Sequence, residues 1–286
     1  MEPLAKRFQA GWKIRSENFS PEIYCAYPRK TKAVSVTGSK CELHCSHCGG
    51  HYLKGMTPLA DALAGEDNAA SYLISGGCDR FGKVPVAQHI EKIKQLKHDK
   101  QLNLHVGLVD QEDIAAIAPV ADKVSFDFIG DNETVHEVLG LNRSVEDYVA
   151  CYRNLRKQCS VIPHICIGLR GGQISGEYKA MELLKDMGVE GLTFIVFMPT
   201  PGTNFAAKQP PDIGAVLDIL LKARKEFPNV HLGLGCMRPG GSYRAELDSL
   251  AVRAGINSIV NPVPEAVRVA ENLGLSVVKR EECCVF

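Results

Sequence analysis

The chain is short of several things at once. It has a single Trp and no excess of either charge, with 33 Lys and Arg against 33 Asp and Glu. No stretch approaches the ~18 uninterrupted apolar residues of a membrane span, so no membrane association is expected. Without a basic run or a net positive charge, it lacks what a nucleic-acid binder uses to hold phosphates. Met1 to Arg7 lack the apolar core of a signal peptide, and a cytoplasmic protein is expected. Low-complexity segments, Pro/Ser-rich linkers and short repeats are missing too, which leaves no obvious point at which to divide 286 residues. A chain of this size buries enough surface to be stable without disulfides or structural metals. Against these absences stands one excess, eleven Cys. In a reducing compartment so many thiols do not make a disulfide framework, so some are expected to bind metal.

Short β-rich runs alternate with amphipathic stretches along almost the whole sequence. Strands are expected at Lys32–Thr37, Ser71–Ser75, Asn103–Leu108, Lys123–Phe128, Val161–Gly168, Gly191–Phe197, Val230–Leu234 and Ser258–Val260. Each is rich in Val, Ile, Leu or Phe and bounded by Gly, Pro, Asp or Asn, as buried parallel strands are. Between them, Val86–Lys97, Tyr178–Met187, Ile213–Phe227 and Pro264–Leu273 carry helical periodicity. Strict βα alternation implies a parallel sheet with right-handed crossovers. Eight strands imply an α/β fold of the (βα)8 TIM-barrel type, complete or nearly complete. The expected organisation is an N-terminal arm (1–31), a barrel domain (32–273) and a C-terminal tail (274–286). In such a barrel the site lies at the C-terminal ends of the strands, so motifs just after strands matter most.

Directly after the first of these strands comes Cys41-Glu42-Leu43-His44-Cys45-Ser46-His47-Cys48. A loop with C-x3-C-x2-C spacing can wrap one corner of a cubane, giving three irons a thiolate each. The fourth iron is left open for an exogenous ligand. Thiolates are soft donors suited to iron–sulfur clusters or to zinc. Zinc is the alternative, with His44 or His47 as the fourth donor, although the spacing is unlike the usual zinc arrays.

This motif on the first loop of a βα barrel resembles the signature of radical S-adenosylmethionine (radical SAM) enzymes, of the biotin-synthase-like branch. The resemblance implies a 4Fe-4S cluster on Cys41, Cys45 and Cys48, with SAM chelating the open iron. SAM cleavage would then yield a 5′-deoxyadenosyl radical. Ser75-Gly76-Gly77 resembles the family's glycine-rich segment at the SAM amino group, where the missing Cβ atoms let backbone approach the ligand. The family often has Glu next, whereas this chain has Cys78-Asp79. The resemblance further implies Ser125 and Asp127 at the ribose or carboxylate and Ile174 at the adenine. It puts Met198 in an adenine-side loop and Arg170 at the SAM carboxylate. The alternative for Arg170 is a surface arginine of a glycine-rich loop.

Eight cysteines lie outside the motif. Cys151 and Cys159, eight apart in an expected helix and near one face, read as small buried hydrophobes, as does Cys166 within the fifth strand. Cys236 follows the seventh strand at the rim, and Cys283-Cys284 stand near the chain end. An exposed vicinal thiol pair is a redox liability without a role. Between Gly274 and Cys283 about ten residues span roughly 30 Å when extended, enough to climb back to the rim. Leu275–Lys279 has the β character for it. Cys236, Cys283 and Cys284 are therefore expected to ligate a second 4Fe-4S cluster. Its fourth ligand would be Cys25, Cys78, Ser242 or substrate, with Arg244 nearby. The alternative is a tail pair with a separate redox role.

Within radical SAM enzymes, the overall pattern is similar to the octanoyl-acting member of the two-protein lipoyl synthases. The supporting residues are Val34–Gly38, Gly49–Met56, Cys236–Gly241 and the terminal Cys pair. That similarity implies sulfur insertion into an octanoyl chain on a lipoyl-carrier domain, the second cluster being the sulfur source. A second radical SAM partner protein and a reductant such as ferredoxin or flavodoxin are implied with it. Other biotin-synthase-like chemistry, such as methylornithine or hydrogenase-cofactor synthesis, and a non-catalytic iron–sulfur accessory role are the alternatives.

Overall fold

The apolar runs and amphipathic stretches become, in the computed structural model, the strands and helices of an α/β half-barrel, described over residues 3–65 and 68–286. The strands are β1 (Glu22–Ala26), β2 (Thr31–Ser35), β3 (Thr57–Pro58), β4 (Ser71–Ser75), β5 (Gln101–His105) and β6 (Lys123–Asp127). They continue with β7 (Val161–Ile167), β8 (Gly191–Val196), β9 (His231–Leu234), β10 (Ser258–Val260) and β11 (Ser276–Arg280). All pair in parallel, in the order β11-β1-β10-β9-β8-β7-β6-β5-β4-β2-β3. The α-helices are α1 (Leu4–Asn18), α2 (Leu59–Ala64), α3 (Ile90–Lys97), α4 (Gln111–Ile117) and α5 (Val145–Arg156). After them come α6 (Glu177–Met187), α7 (Ile213–Glu226), α8 (Gly241–Arg253) and α9 (Pro264–Asn272).

All eight expected strands are present, Ser71–Ser75 and Ser258–Val260 with the expected ends and the other six with shifted ones. The run expected to reach Leu108 stops at His105 because Gly107, at φ 66°, turns the chain onto the β4 loop. A Cβ there would lie 2.2 Å from the Gly82 carbonyl oxygen, so only glycine fits the turn. The segment carrying Cys159 also departs from expectation. Helix α5 ends at Arg156, so Cys159 sits in the following turn and does not share a helix face with Cys151.

The eight expected strands lie within an eleven-stranded parallel sheet of TIM-barrel-like character, and no ladder closes it into a complete ring among the described residues. The reason lies at both ends of the chain. β1 takes the edge of β10 on which a closed ring would seat β2, and β11 adds on the far side of β1. The two sides still touch beyond the ladders: Lys30 N–H donates to the Glu281 carbonyl at 2.9 Å, and the two side chains pair at 2.6 Å. Because β11 runs parallel to the other strands, Glu281–Phe286 leave the sheet at its C-terminal end. No helix among the described residues is long and apolar enough to cross a membrane.

Candidate functional site

The cysteine loop begins at the C-terminal end of β2 and is gripped by loops from three other strands. From the β4 side, the Cys78 carbonyl accepts from Glu42 N–H at 2.8 Å and lies 3.8 Å from Cys41 Sγ. From the β6 side, Val138 accepts from Ser46 N–H at 2.8 Å, and the Leu139 carbonyl is 3.8 Å from Cys45 Sγ. From the β8 side, Phe205 N–H donates to the Ser46 carbonyl at 2.9 Å. Inside the loop, Cys48 and Gly49 N–H both turn back onto the Cys45 carbonyl, at 3.0 and 2.9 Å.

The glycine segment makes room for the cysteine loop. A Cβ on Gly77 would sit 2.0 Å from the Lys40 carbonyl oxygen and 2.6 Å from Cys41 Cα, so the missing side chain makes room for the cysteine loop. Gly77 N–H is spent on Thr37 Oγ1 at 2.7 Å, and Ser75 Oγ on the His105 carbonyl at 3.1 Å.

The thiols of the loop feel one another. Burial pushes Cys45 up to about 12, and the neighbouring Cys48 and Cys41 push it the same way. Thiolates crowded like this need a cationic partner, which a bound iron–sulfur cluster supplies. Among the described residues no three His, Cys, Asp or Glu side chains converge tightly enough for one metal ion. A cluster instead takes each thiolate on a separate iron, so Cys41, Cys45 and Cys48 fit it as a donor set. His47, between the last two, carries a buried Nδ1 without a partner; burial pulls its pKa down to about 4, with Asp127 opposing.

Below the loop, alternate positions of β5, β6 and β7 break the apolar pattern and put polar groups at the barrel mouth, as strand alternation requires. His105 Nε2 lies 3.2 Å from Asp127 Oδ2, and its ring stacks with His164 at 6.2 Å. Ser125 Oγ donates to Asn103 Oδ1 at 3.0 Å. Burial lowers the His105 pKa, but the Asp127 charge and hydrogen bond, with Cys283 nearby, outweigh it and leave the group raised. Burial likewise acts against ionised Asp127, yet His105, His164 and His47 together hold it at about 2. Burial takes His164 down to about 4. Of this group only Ser125 and Asp127 were expected from sequence; the period-two polar residues Asn103, His105 and His164 carried the missed signal.

The second group of cysteines is also drawn together. Cys283 and Cys284 Sγ are 4.0 Å apart, Cys283 Sγ is 3.6 Å from Asn103 Nδ2, and Cys236 is near enough to raise the Cys284 thiol electrostatically. The loop carrying exposed Cys236 is fixed from beneath. Arg238 pairs through Nε and Nη2 with Asp248 of α8 at 2.7 and 2.9 Å, both side chains wholly buried, while Arg244 Nη2 donates to the Arg238 carbonyl at 2.9 Å. Ser242 is exposed at the start of α8.

The remaining expected site residues have the following surroundings. Arg170 does not stand free for a carboxylate ligand; its Nη2 is 2.7 Å from Glu137 Oε2. Ile174 packs against the core, and the Met198 carbonyl accepts from Thr200 Oγ1 at 3.3 Å. Cys25 is 1% exposed inside the core, where burial pushes its thiol up to about 11 despite Lys279, and it does not join the rim thiols. Cys78 stays beside the first loop: burial, then Cys41 and Cys45, raise its thiol.

No family model and no curated protein matches the chain. Its fold is similar to that of methylornithine synthase (PylB), at 14% identity and TM-score 0.70, over 97% of this chain and 91% of that one. It is similar to the FeFe-hydrogenase maturase HydG from Carboxydothermus hydrogenoformans, at 12% and 0.69, over 95% and 71%. Streptococcus suis SuiB bound to S-adenosylmethionine is a more distant likeness, at 12% and 0.53, over 90% and 61%. At these identities the likeness establishes a shared fold.

Proposed function

We propose that the chain is a radical SAM enzyme in which Cys41, Cys45 and Cys48 hold a 4Fe-4S cluster with SAM beside it, and Cys236, Cys283 and Cys284 hold a second 4Fe-4S cluster. The observation that carries this reading is the C-x3-C-x2-C loop at the end of β2, gripped from three sides above a polar mouth. When bound there, SAM and the cluster supply a radical able to take hydrogen from an unactivated carbon. The chain's own residues hold and orient. Asp127, Ser125 and His105 offer donors and acceptors to a ribose or carboxylate, and Arg170 reaches a carboxylate only by exchanging Glu137. Ile174 and Met198 contribute apolar surface that keeps water out.

The substrate reading is sulfur insertion into the octanoyl chain of a lipoyl-carrier domain, alongside a second radical SAM protein. It is supported by the sequence similarity and by Cys236 and the tail pair drawing together at one mouth. Anaerobic incubation of reconstituted protein with SAM, reductant and octanoylated carrier should add the mass of one sulfur. No added sulfur with 5′-deoxyadenosine still formed would leave a radical SAM enzyme of another substrate. Methylornithine- or hydrogenase-cofactor-type chemistry is that second reading, favoured by the likeness to PylB and HydG. Iron analysis should find about eight irons per chain, falling to about four in Cys283→Ala/Cys284→Ala. An unchanged four would remove the second cluster.

A further inference from the structure

Three thiols on the cysteine loop leave one iron of a four-iron cluster without a protein ligand, yet a fourth thiol is pinned beside them. The Cys78 carbonyl accepts from Glu42 N–H at 2.8 Å and lies 3.8 Å from Cys41 Sγ. Immediately before it, a Cβ on Gly77 would sit 2.6 Å from both Cα and Cβ of Cys41. The backbone that leads into Cys78 therefore packs directly on the first cysteine of the loop. Standard bond lengths keep a cysteine Sγ within about 5 Å of its own carbonyl oxygen, so the Cys78 and Cys41 sulfurs are at most about 9 Å apart.

The surroundings of this thiol differ from those of the other spare cysteines. Burial does most to raise the Cys78 thiol, and Cys41 and then Cys45 follow. Burial also comes first for Cys25, Cys151 and Cys166, but the charges acting on them belong to Lys279, Asp110 and Asp127. Cys151 Sγ donates to the Val109 carbonyl at 3.4 Å, whereas Cys78 Sγ has no hydrogen-bond partner among the described residues. Cys78 is half-buried and not sealed in the core as Cys25 is. Without metal, a neutral thiol here is only a small packing group. A bound iron inverts that, since it deprotonates a coordinating thiol and takes soft donors readily.

We propose that Cys78 is the fourth thiolate of the cluster on Cys41, Cys45 and Cys48 when SAM is absent, and that it gives way when SAM arrives. This rests on the iron–sulfur reading of that loop. Cys78 loses its proton to solvent as its sulfur binds iron. It takes a proton back when the amino and carboxylate groups of SAM displace it. No electron moves in either exchange.

The test is the Mössbauer spectrum of reconstituted protein, freed of small thiols, in the Cys283→Ala/Cys284→Ala background that removes two ligands of the second cluster. Without SAM, every iron of this parent should show sulfur ligation alone. Cys78→Ala should instead show about one iron in four as a separate site with oxygen or nitrogen ligation. Adding SAM should create that separate site in the parent as well. A separate iron already present in the SAM-free parent would overturn the proposal, and this reading of the parent stands even if the variant takes up no iron. Parent irons that stay uniform after SAM is added would overturn the displacement. If the parent takes up no four-iron cluster, the iron–sulfur reading itself fails and this proposal falls with it.

Discussion

Cys283 Sγ lies 3.6 Å from the side-chain amide of Asn103, a residue 1% exposed on β5. The contact joins the last residues of the chain to the barrel's interior wall. It exists because β11 runs parallel to the barrel strands and delivers the tail to the mouth.

In the metal-free protein the Cys283 thiol is drawn down, chiefly by Cys284 and in smaller part by this contact. The hydrogen bond with Cys284 outweighs burial and, helped by Val285 N–H and Asn103, holds Cys283 down at about 7. Alkylation of Cys283, followed by mass spectrometry across pH, should show a midpoint near that value. Asn103→Leu should move the midpoint up and Cys284→Ala further. A wild-type midpoint in the ordinary thiol range of about 8.5 would contradict the geometry.

Gly77→Ala should dislodge the cysteine loop, because its Cβ would meet the Lys40 carbonyl oxygen at 2.0 Å. We expect reconstituted protein to lose most of its iron–sulfur absorbance while keeping its far-UV circular dichroism. Gly55→Ala is the control, since nothing lies within 4 Å of the added atom. Equal iron content in the two variants would dissociate Gly77 from the loop.

The wholly buried Arg238–Asp248 pair should behave as a coupled unit. Asp248→Asn strands a buried guanidinium and is expected to cost about 3–5 kcal/mol in chemical denaturation. Arg238→Met/Asp248→Leu should recover most of that loss. A double variant as unstable as the single one would show that the bonds Arg238 donates to the Gly235 and Val260 carbonyls, at 2.6 and 2.8 Å, dominate over the ion pair.

The His105–Asp127 pair sets a pH dependence whose sign is fixed. The folded His105 pKa is raised, so its stabilisation is complete below the unfolded value of about 6.5 and fades as pH rises through the folded one. Asp127, held at about 2, contributes above its unfolded value of about 3.9 and loses this as pH falls toward 2. In imidazole NMR of the metal-free protein, Asp127→Asn should drop the His105 titration below its wild-type midpoint. The stability gap between wild type and the variant should be wider at pH 6 than well above the His105 midpoint. A gap that widens with rising pH would reverse the assignment.

The cysteine loop was legible because three thiols in eight residues after a strand are a local signal that needs no knowledge of packing. The strands were legible for the same reason, since β-branched runs between turn residues carry their own boundaries. The His105–Asp127–His164 wall was half legible: each residue is an inward position on a strand, yet only closure of neighbouring strands brings the rings together. The pairing of Arg170 with Glu137 was not legible, because the two residues are 33 positions apart and meet only when the β6 and β7 loops come together.

The sequence by itself determined the alternation of strands and helices, the neutral surface and the first set of thiols, all of which depend on spacing along the chain. Tertiary structure alone decided that β1 and β11 occupy the edge where a ring would close. Edge pairing depends on which strands arrive beside one another, and residues 22–26 and 276–280 are far apart in sequence. It also separated the cysteines, sending Cys25 into the core and carrying Cys283 and Cys284 to Asn103. A thiol's chemistry is set by burial and by the groups around it, and tertiary contacts such as that of Cys283 with Asn103 bring in groups far away in the sequence.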